Sequence, residues 1–404
     1  MDLKALSVII PNFNNAKYLG RAIQSILDQT FTDYEIIVVD DGSTDNSRNV
    51  VDAFGNKVRY IWQENKGLGG ARNTGILASN SEFIGLLDAD DEWKPTYLEK
   101  MMQLVRRCPE AVVYFSGAQG MDVFGNDLPQ VFGRMITSNM TYHSLLRANF
   151  IIPSTVIFRR DVILKAGLFD EKNPNLHGCE DWDLWLRLLP SHQFAGTAEP
   201  LVRYRLHENT FSSDPIHMQM AVKAVIEKHF GLDDARYSDW SLEKKHAFGG
   251  MYRFQSITFV QRQNNWESAR FALQKALLID PSLAIDLDLF YELGLGSQSA
   301  GYRGVSAVQN SETSAAHLQM IIHLLRNVPE LQTFFNRIVG TSEYALGLIA
   351  YGSGLRRRSR KHFIRALSHR PELILDSRLL GTSIKSLISA DEIKSLRKFF
   401  RRAA

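Results

Sequence analysis

The sequence predicts an α/β domain built on a mostly parallel sheet, followed by an all-α region. Three observations carry this. Short apolar runs at 6–11, 35–39, 58–62 and 83–87 read as buried strands. Apolar residues at helical spacing lie between them, and strands that alternate with helices favour parallel pairing with right-handed crossovers. From about residue 215 onward strand patterns stop and helical ones take over. We therefore expect a first domain over 1–230 and a helical domain over 231–404.

Composition narrows the class. A chain of 404 residues suggests two or three domains. Hydrophobic content of 45% and charged content of 23% are ordinary for a globular protein. A net charge of +3 carries no polyelectrolyte signal, so no nucleic-acid partner is expected. Two cysteines, Cys108 and Cys179, make no disulfide framework, which fits a reducing compartment. No apolar run approaches the roughly 20 residues of a spanning helix, and no signal peptide precedes Pro11. A cytoplasmic location, with peripheral contact at the inner face of the membrane, is the expectation.

Taken in order, Leu6–Pro11 is a strand stopped by proline, and Asn12–Asn15 is a turn. Tyr18, Leu19, Ala22, Ile23, Ile26 and Leu27 mark a helix. The next strand ends in Asp40-Asp41-Gly42-Ser43-Thr44-Asp45, rich in turn formers and caps. A helix through Val50, Val51 and Phe54 precedes Val58–Trp62. Gly67–Asn73 then leads into a short helix, with Arg72 at its opening.

Phe83–Leu87 runs straight into Asp88-Ala89-Asp90-Asp91. Carboxylates crowded at a strand end repel unless a cation sits among them, and open α/β sheets place ligands there. Hard oxygen ligands suit Mg²⁺ or Mn²⁺ shared with a phosphate. The alternative is a solvated acidic turn before a helix beginning near Glu92 and Pro95. Leu98, Met101, Met102 and Val105 form a core-facing helix stripe, and Val112–Phe115 is a strand. Residues 118–150 carry no motif. Ser154–Phe158 is a strand leading to a helix at Asp161–Lys165. Glu180 and Asp181 open a further helix whose Trp182 either stacks on a sugar or packs in the core.

The first strand lacks the Gly-rich turn of a dinucleotide site, and no P-loop is present. The ordered set is instead specific for another family. Ser7–Asn14 with Tyr18-Leu19 and Gln29-Thr30, Val39–Asp45, Asn65–Gly75, Leu87–Asp91 and Gly178–Asp183 resemble glycosyltransferase family 2 over roughly 5–210. The resemblance implies a GT-A fold, an inverting mechanism, a nucleotide-sugar donor with UDP favoured, and Mg²⁺ or Mn²⁺. It implies that Asp41 holds uracil, with Pro11, Phe13, Asp40 and Ala89 also beside the donor. Asp90 corresponds to the metal-binding carboxylate, and Asp88 lies near the ribose or a metal-bound water. Arg72 meets an anion or base edge, or is a surface ion pair. His207 approaches the metal or diphosphate, or is structural. Asp181 corresponds to the catalytic base. Glu180 is its rival, and Asp183 is the partner of Arg187 one turn on.

In the helical region, Ala269, Leu273, Ala276, Pro281 and Leu283 recur as Ser359, Phe363, Ala366, Pro371 and Leu373, each 90 positions later. Such hairpins resemble tetratricopeptide-like units, separated by an irregular 284–340 with a Gly/Ser-rich break at 294–306. Arg356–Arg358, Arg360 and Lys361, with Lys398, Arg401 and Arg402 flanking Phe399 and Phe400, suit an anionic membrane or protein contact. Acceptors consistent with the resemblance are a cell-surface polysaccharide, a lipid-linked glycan or a protein. The competing readings are a nucleotidyltransferase and a noncatalytic helical scaffold.

Overall fold

The computed structural model describes residues 4–133, 142–207, 214–298, 311–377, 379, 381 and 382. The chain divides into two units, Met1–Leu232 and Asp233–Ala404. The tail residues Lys398–Arg402 lie outside the described residues.

The first unit carries a mixed sheet whose first half is parallel. β1 (Leu6–Asn12) pairs in parallel with β2 (Tyr34–Asp40) on one side and β4 (Phe83–Leu86) on the other, and β2 pairs in parallel with β3 (Arg59–Trp62). Proline does not stop β1, which runs on through Pro11 to Asn12. Pro11 faces Val39 of β2, but the last β4 partner is Leu86 opposite Ile9, so one edge of β1 no longer needs a donor there. The chain winds outward from β1 to β3 and then returns to place β4 on the opposite side of β1. Ligands bind outside the carboxyl ends of strands at such a reversal. The loops that follow β1, β2 and β4 are the segments holding Phe13, Asp41 and Asp88–Asp91.

Helices seat this half. α1 (Ala16–Leu27) buries Leu19, Ala22, Ile23 and Ile26 in one core with Val8, Ile10 and Val38 of the sheet. α3 spans Gly67–Ala78, so the Gly-rich stretch is the first turn of the helix itself and not its lead-in. Gly75 lets α3 lie directly on β1, because a Cβ there would sit 2.5 Å from Ile9 Cγ2. That close approach fixes Arg72, one turn earlier, toward the carboxyl end of the sheet.

The second half departs from the parallel pattern. β5 (Glu92–Trp93) occupies the position where a helix start was the alternative, and α4 (Tyr97–Arg107) begins later. β6 (Ala111–Met121), β7 (Asp127–Phe132), α5 (Tyr142–Arg147), β8 (Val156–Arg159), α6 (Arg160–Lys165), α7 (Glu180–Leu188), β9 (Gln193–Arg205) and α8 (Pro215–Phe230) follow. Strand order is β3-β2-β1-β4-β8-β6-β9-β5, with β7 on β6. β8 runs antiparallel to β4 and β6, whereas β9 runs parallel to β6. A strand buried on both faces has the same apolar content in either direction, so its sense is not written in its run.

The second unit is helical. α9 (Leu242–Gln263) with α10 (Trp266–Ile279), α11 (Leu287–Leu295) with α12 (Ser311–Leu325), and α13 (Phe335–Gly352) with α14 (Arg356–His369) form successive hairpins. Each second helix is followed by a 3-10 turn opened by proline, at Pro281, Pro329 and Pro371. The described part of 284–340 is thus a third hairpin and not an irregular spacer. Gly249 and Gly340 admit the residue before the flanking proline, with a Cβ falling 2.6 Å from Asp280 and 2.4 Å from Arg370. Among the described residues no helix is long and apolar enough to cross a membrane.

Candidate active site

The loop after β2 is built around two buried aspartates with different freedom. Asp40 Oδ1 accepts from the Ser43 N–H at 2.9 Å, and Oδ2 accepts from the Tyr60 hydroxyl at 2.6 Å. Both oxygens hold the turn, so Asp40 shapes the loop. The Asp41 N–H donates to the Asn12 carbonyl at 2.8 Å. Asp41 Oδ1 accepts from Gln63 Nε2 at 2.6 Å and from the Lys66 N–H at 2.9 Å. Its Oδ2 has no partner among the described residues, and can accept one more N–H. Pro11 is buried beside it, while Phe13 is 48% exposed at the end of β1 and offers a ring face.

The loop after β4 is tied down by Ser154 and Arg205. Ser154 Oγ accepts from the Asp88 N–H at 3.1 Å and donates to Asp91 Oδ2 at 2.5 Å. The Arg205 N–H donates to Asp91 Oδ1 at 2.8 Å, and Arg205 Nε donates to the Asp90 carbonyl at 2.7 Å. Asp91 is an internal anchor, and burial with the nearby Asp90 and Asp88 charges pushes its carboxyl well up. Ala89 is buried in the turn. Asp90 Oδ2 meets His207 Nε2 at 2.8 Å, which brings together two of the three residues assigned to the metal, Asp88 being the third. Asp88 Oδ1 accepts from Arg72, and its other oxygen, like Asp90 Oδ1, has no partner among the described residues.

These donors fit a cation of a particular kind. Among the described residues no group of three or more His, Cys, Asp or Glu side chains is arranged to hold a metal. A complete protein cage is therefore not offered. Two hard carboxylates with unused oxygens match Mg²⁺ or Mn²⁺ whose remaining ligands come from a diphosphate and water.

Arg72 sits deeper than the sequence places it. It is the sixth residue of α3, not its opening residue, and it is buried, not a surface pair. Nη1 donates to Glu180 Oε1 at 2.7 Å and Nη2 to Asp88 Oδ1 at 2.8 Å. Its guanidinium lies 5.5 Å from the Phe169 ring centre. Arg72 thus joins the loop after β4 to the start of α7.

At that start, three carboxylates have three fates. Glu180 accepts from Arg72 on Oε1 and from the Gly178 N–H on Oε2 at 2.8 Å, so both oxygens are held. Asp181 is buried, and its Oδ2 accepts from Asn149 Nδ2 at 2.8 Å. Burial and the Glu180 charge push its carboxyl up to about 7, against the opposing pull of Arg72 and Asn149. Asp183 accepts from His229 at 2.9 Å, Lys228 at 2.8 Å and Arg187 at 3.1 Å. Burial pushes its carboxyl up, but the His229 and Lys228 hydrogen bonds and the charges of Arg187 and Lys228 outweigh that and bring it to about 2. Trp182 is buried with Nε1 donating to the Leu145 carbonyl at 2.8 Å, so it packs in the core and presents no face to a sugar. Asn149 lies in a segment without motifs.

Comparison with known proteins bears on the family of this chain. Residues 7–167 match the model of glycosyl transferase family 2. An uncharacterized glycosyltransferase of Nostoc sp. is 50% identical over 103 residues, covering 24% of this chain and 32% of that protein. One of Rickettsia typhi is 31% identical over 212 residues, covering 50% and 64%. This chain thus spans less than two thirds of the length of these relatives. Among solved structures, S. aureus TarS 1-349 in complex with UDP-GlcNAc covers 86% of this chain and 92% of its own, at 18% identity and a TM-score of 0.48, too loose a likeness to carry a conclusion. The putative teichuronic acid biosynthesis glycosyltransferase TuaG of Bacillus subtilis is 30% identical over 216 residues, covering 52% of this chain and 82% of TuaG. With a relative matched over most of its length, a family model over β1 to α6, and the acidic loops at the carboxyl ends of β2 and β4, this chain belongs to glycosyl transferase family 2.

Proposed function

We propose that this chain moves a sugar from a nucleoside diphosphate donor, a UDP-sugar, to an acceptor hydroxyl on a glycan, a lipid-linked glycan or a protein, with inversion at the anomeric carbon. The observation that carries the reading is the buried Asp181 carboxyl at the second position of α7, next to Glu180, which Arg72 ties to the Asp88 loop; burial and the Glu180 charge push it up to about 7. A general base works best with a pKa near the operating pH.

The chain's own groups then divide the work. Asp41 Oδ2 accepts the uracil ring N–H, which cytosine lacks at that edge. Asp88, Asp90 and His207 are the residues that would hold Mg²⁺ or Mn²⁺. When bound, that cation supplies charge neutralisation to the departing diphosphate. Asp181 takes the proton of the acceptor hydroxyl as its oxygen attacks opposite the leaving group. The oxocarbenium character of the transition state also favours a nearby carboxylate. Arg72, bonded to both Asp88 and Glu180, is a positioning residue: it holds the donor-side loop against α7 and tempers the Glu180 charge felt by Asp181.

Product analysis with radiolabelled nucleotide sugars and Mn²⁺ tests the reading. Glycoside plus nucleoside diphosphate is expected. Nucleotide sugar plus pyrophosphate would instead indicate nucleotidyl transfer, and binding without turnover a scaffold. Calorimetry is expected to rank UDP above CDP, with Asp41→Ala losing about tenfold in UDP affinity, the scale of one charge-assisted hydrogen bond. Equal UDP binding by that variant would remove Asp41 from the nucleoside site.

A further inference from the structure

We propose that the outer face of α14 is a docking surface for an anionic lipid bilayer. The argument rests on the internal repeat. α10 and α14 occupy equivalent positions 90 residues apart, Trp266–Ile279 against Arg356–His369. Their inner faces match: Ala269, Leu273 and Ala276 are buried, as are Ser359, Phe363 and Ala366. Their outer faces do not match. Glu267, Ser268, Phe271 and Gln274 of α10 are replaced by Arg357, Arg358, Lys361 and Ile364. α10 has one acid and two cations, whereas α14 has six Arg and Lys and no acid.

This charge works against the helix that carries it. Asn265 caps α10 by accepting from the Ser268 N–H, but α14 follows Leu355, which has no capping side chain. Cations in a first turn oppose the helix dipole, and like charges three or four residues apart repel. A sequence that breaks several local rules at one place points to a binding function there. The carboxylates facing α14 from neighbouring elements are few. Glu312 of α12 pairs with Arg358 at 2.7 Å, and buried Glu343 of α13 pairs with His362 at 2.6 Å and Arg365 at 3.9 Å. Arg357 and Lys361 have no partner among the described residues.

The apolar side chains select lipid over a soluble polyanion. Ile364 is 68% exposed between the cations, and Ile374 and Leu375 in the following turn are 57% and 85% exposed. A polyanionic chain gains from the cations alone. A bilayer gains from cations at its headgroups and from aliphatic side chains at its acyl boundary, the pair of signals that stable peripheral binding needs.

The test is flotation of the full chain with vesicles of phosphatidylcholine alone or with about one-third phosphatidylglycerol. Recovery on anionic vesicles only, falling with salt, is expected. R357Q combined with K361Q is expected to lower partitioning about 25-fold, at roughly fivefold per cation. I364Q, which restores the residue type of its α10 counterpart, is expected to lower it severalfold while leaving binding to soluble dextran sulfate unchanged. All three positions are exposed, so a thermal melt should show wild-type folding. The proposal is overturned by absent recovery on anionic vesicles, by equal recovery on neutral ones, by variants that float like wild type, or by I364Q leaving vesicle binding intact, which would make the face a polyanion site.

Discussion

The two acidic segments of the first unit, Asp88–Asp91 and Glu180–Asp183, have similar composition and opposite chemistry. In each, one aspartate is locked by internal donors: Asp91 by Ser154 and the Arg205 N–H, Asp183 by His229, Lys228 and Arg187. They differ in what is left over. The loop after β4 leaves two carboxylates with unused oxygens at a partly exposed strand end, which suits a cation. The start of α7 buries its remaining aspartate beside another carboxylate, so that it retains a proton up to about pH 7. Burial and partners, not residue type, set what each aspartate is suited to: a cation, a proton or the fold.

Substitutions can break this contrast in order of effect. Asp181→Asn is expected to keep donor affinity but lose about 100-fold to 10,000-fold in turnover, the range for a general base. It should also stabilise the protein at pH 8 and leave stability at pH 4 unchanged. The raised pKa means that the folded state loses stability as pH rises from the usual 3.8 through about 7, when the buried carboxyl must ionise. A structural carboxylate would show the reverse in thermal melts. Asp90→Asn is expected to lower turnover about 100-fold, and excess chelator to abolish it. Full activity in chelator would remove the cation from the account.

Asp183→Asn is the complementary case. The folded pKa of about 2 lies below the usual 3.8, so its stabilisation is present above pH 4 and disappears as pH falls through 2. The substitution is expected to cost about 2 kcal/mol at neutral pH, read by denaturant titration, with the loss vanishing at low pH. Unchanged stability at neutral pH would mean that His229, Lys228 and Arg187 contribute nothing net.

Much of this arrangement was legible in the sequence, and the exceptions share causes. β1, β2 and β4 were visible because buried strands are apolar runs, and acidic loops end β2 and β4. β9 was not, since Gln193–Arg205 contains Gly196 and Pro200 and few β-branched residues. Its place is set by pairing with β6, a tertiary effect. The partners of Arg72 lie 16 and 108 residues away, and a motif says nothing about such contacts. Asn149 and Ser154 were invisible for the same reason. Trp182 was open between two uses, and the Leu145 carbonyl decides for the core. The middle helical hairpin lacked a sequence echo but follows the same hairpin–proline plan.

The pH dependence of turnover, at saturating donor and Mn²⁺, tests the central claim most directly. If Asp181 is the base, the wild-type rate rises with pH through an apparent pKa near 7 and then levels, because only the ionised carboxyl can accept the proton. Asp181→Asn should lose both the rate and that ionisation, while Glu180→Gln keeps substantial turnover with its midpoint moved downward, since the neighbouring negative charge is gone. A normal rate and an unchanged profile in Asp181→Asn, with Glu180→Gln inactive, would contradict the assignment and make Glu180 the base.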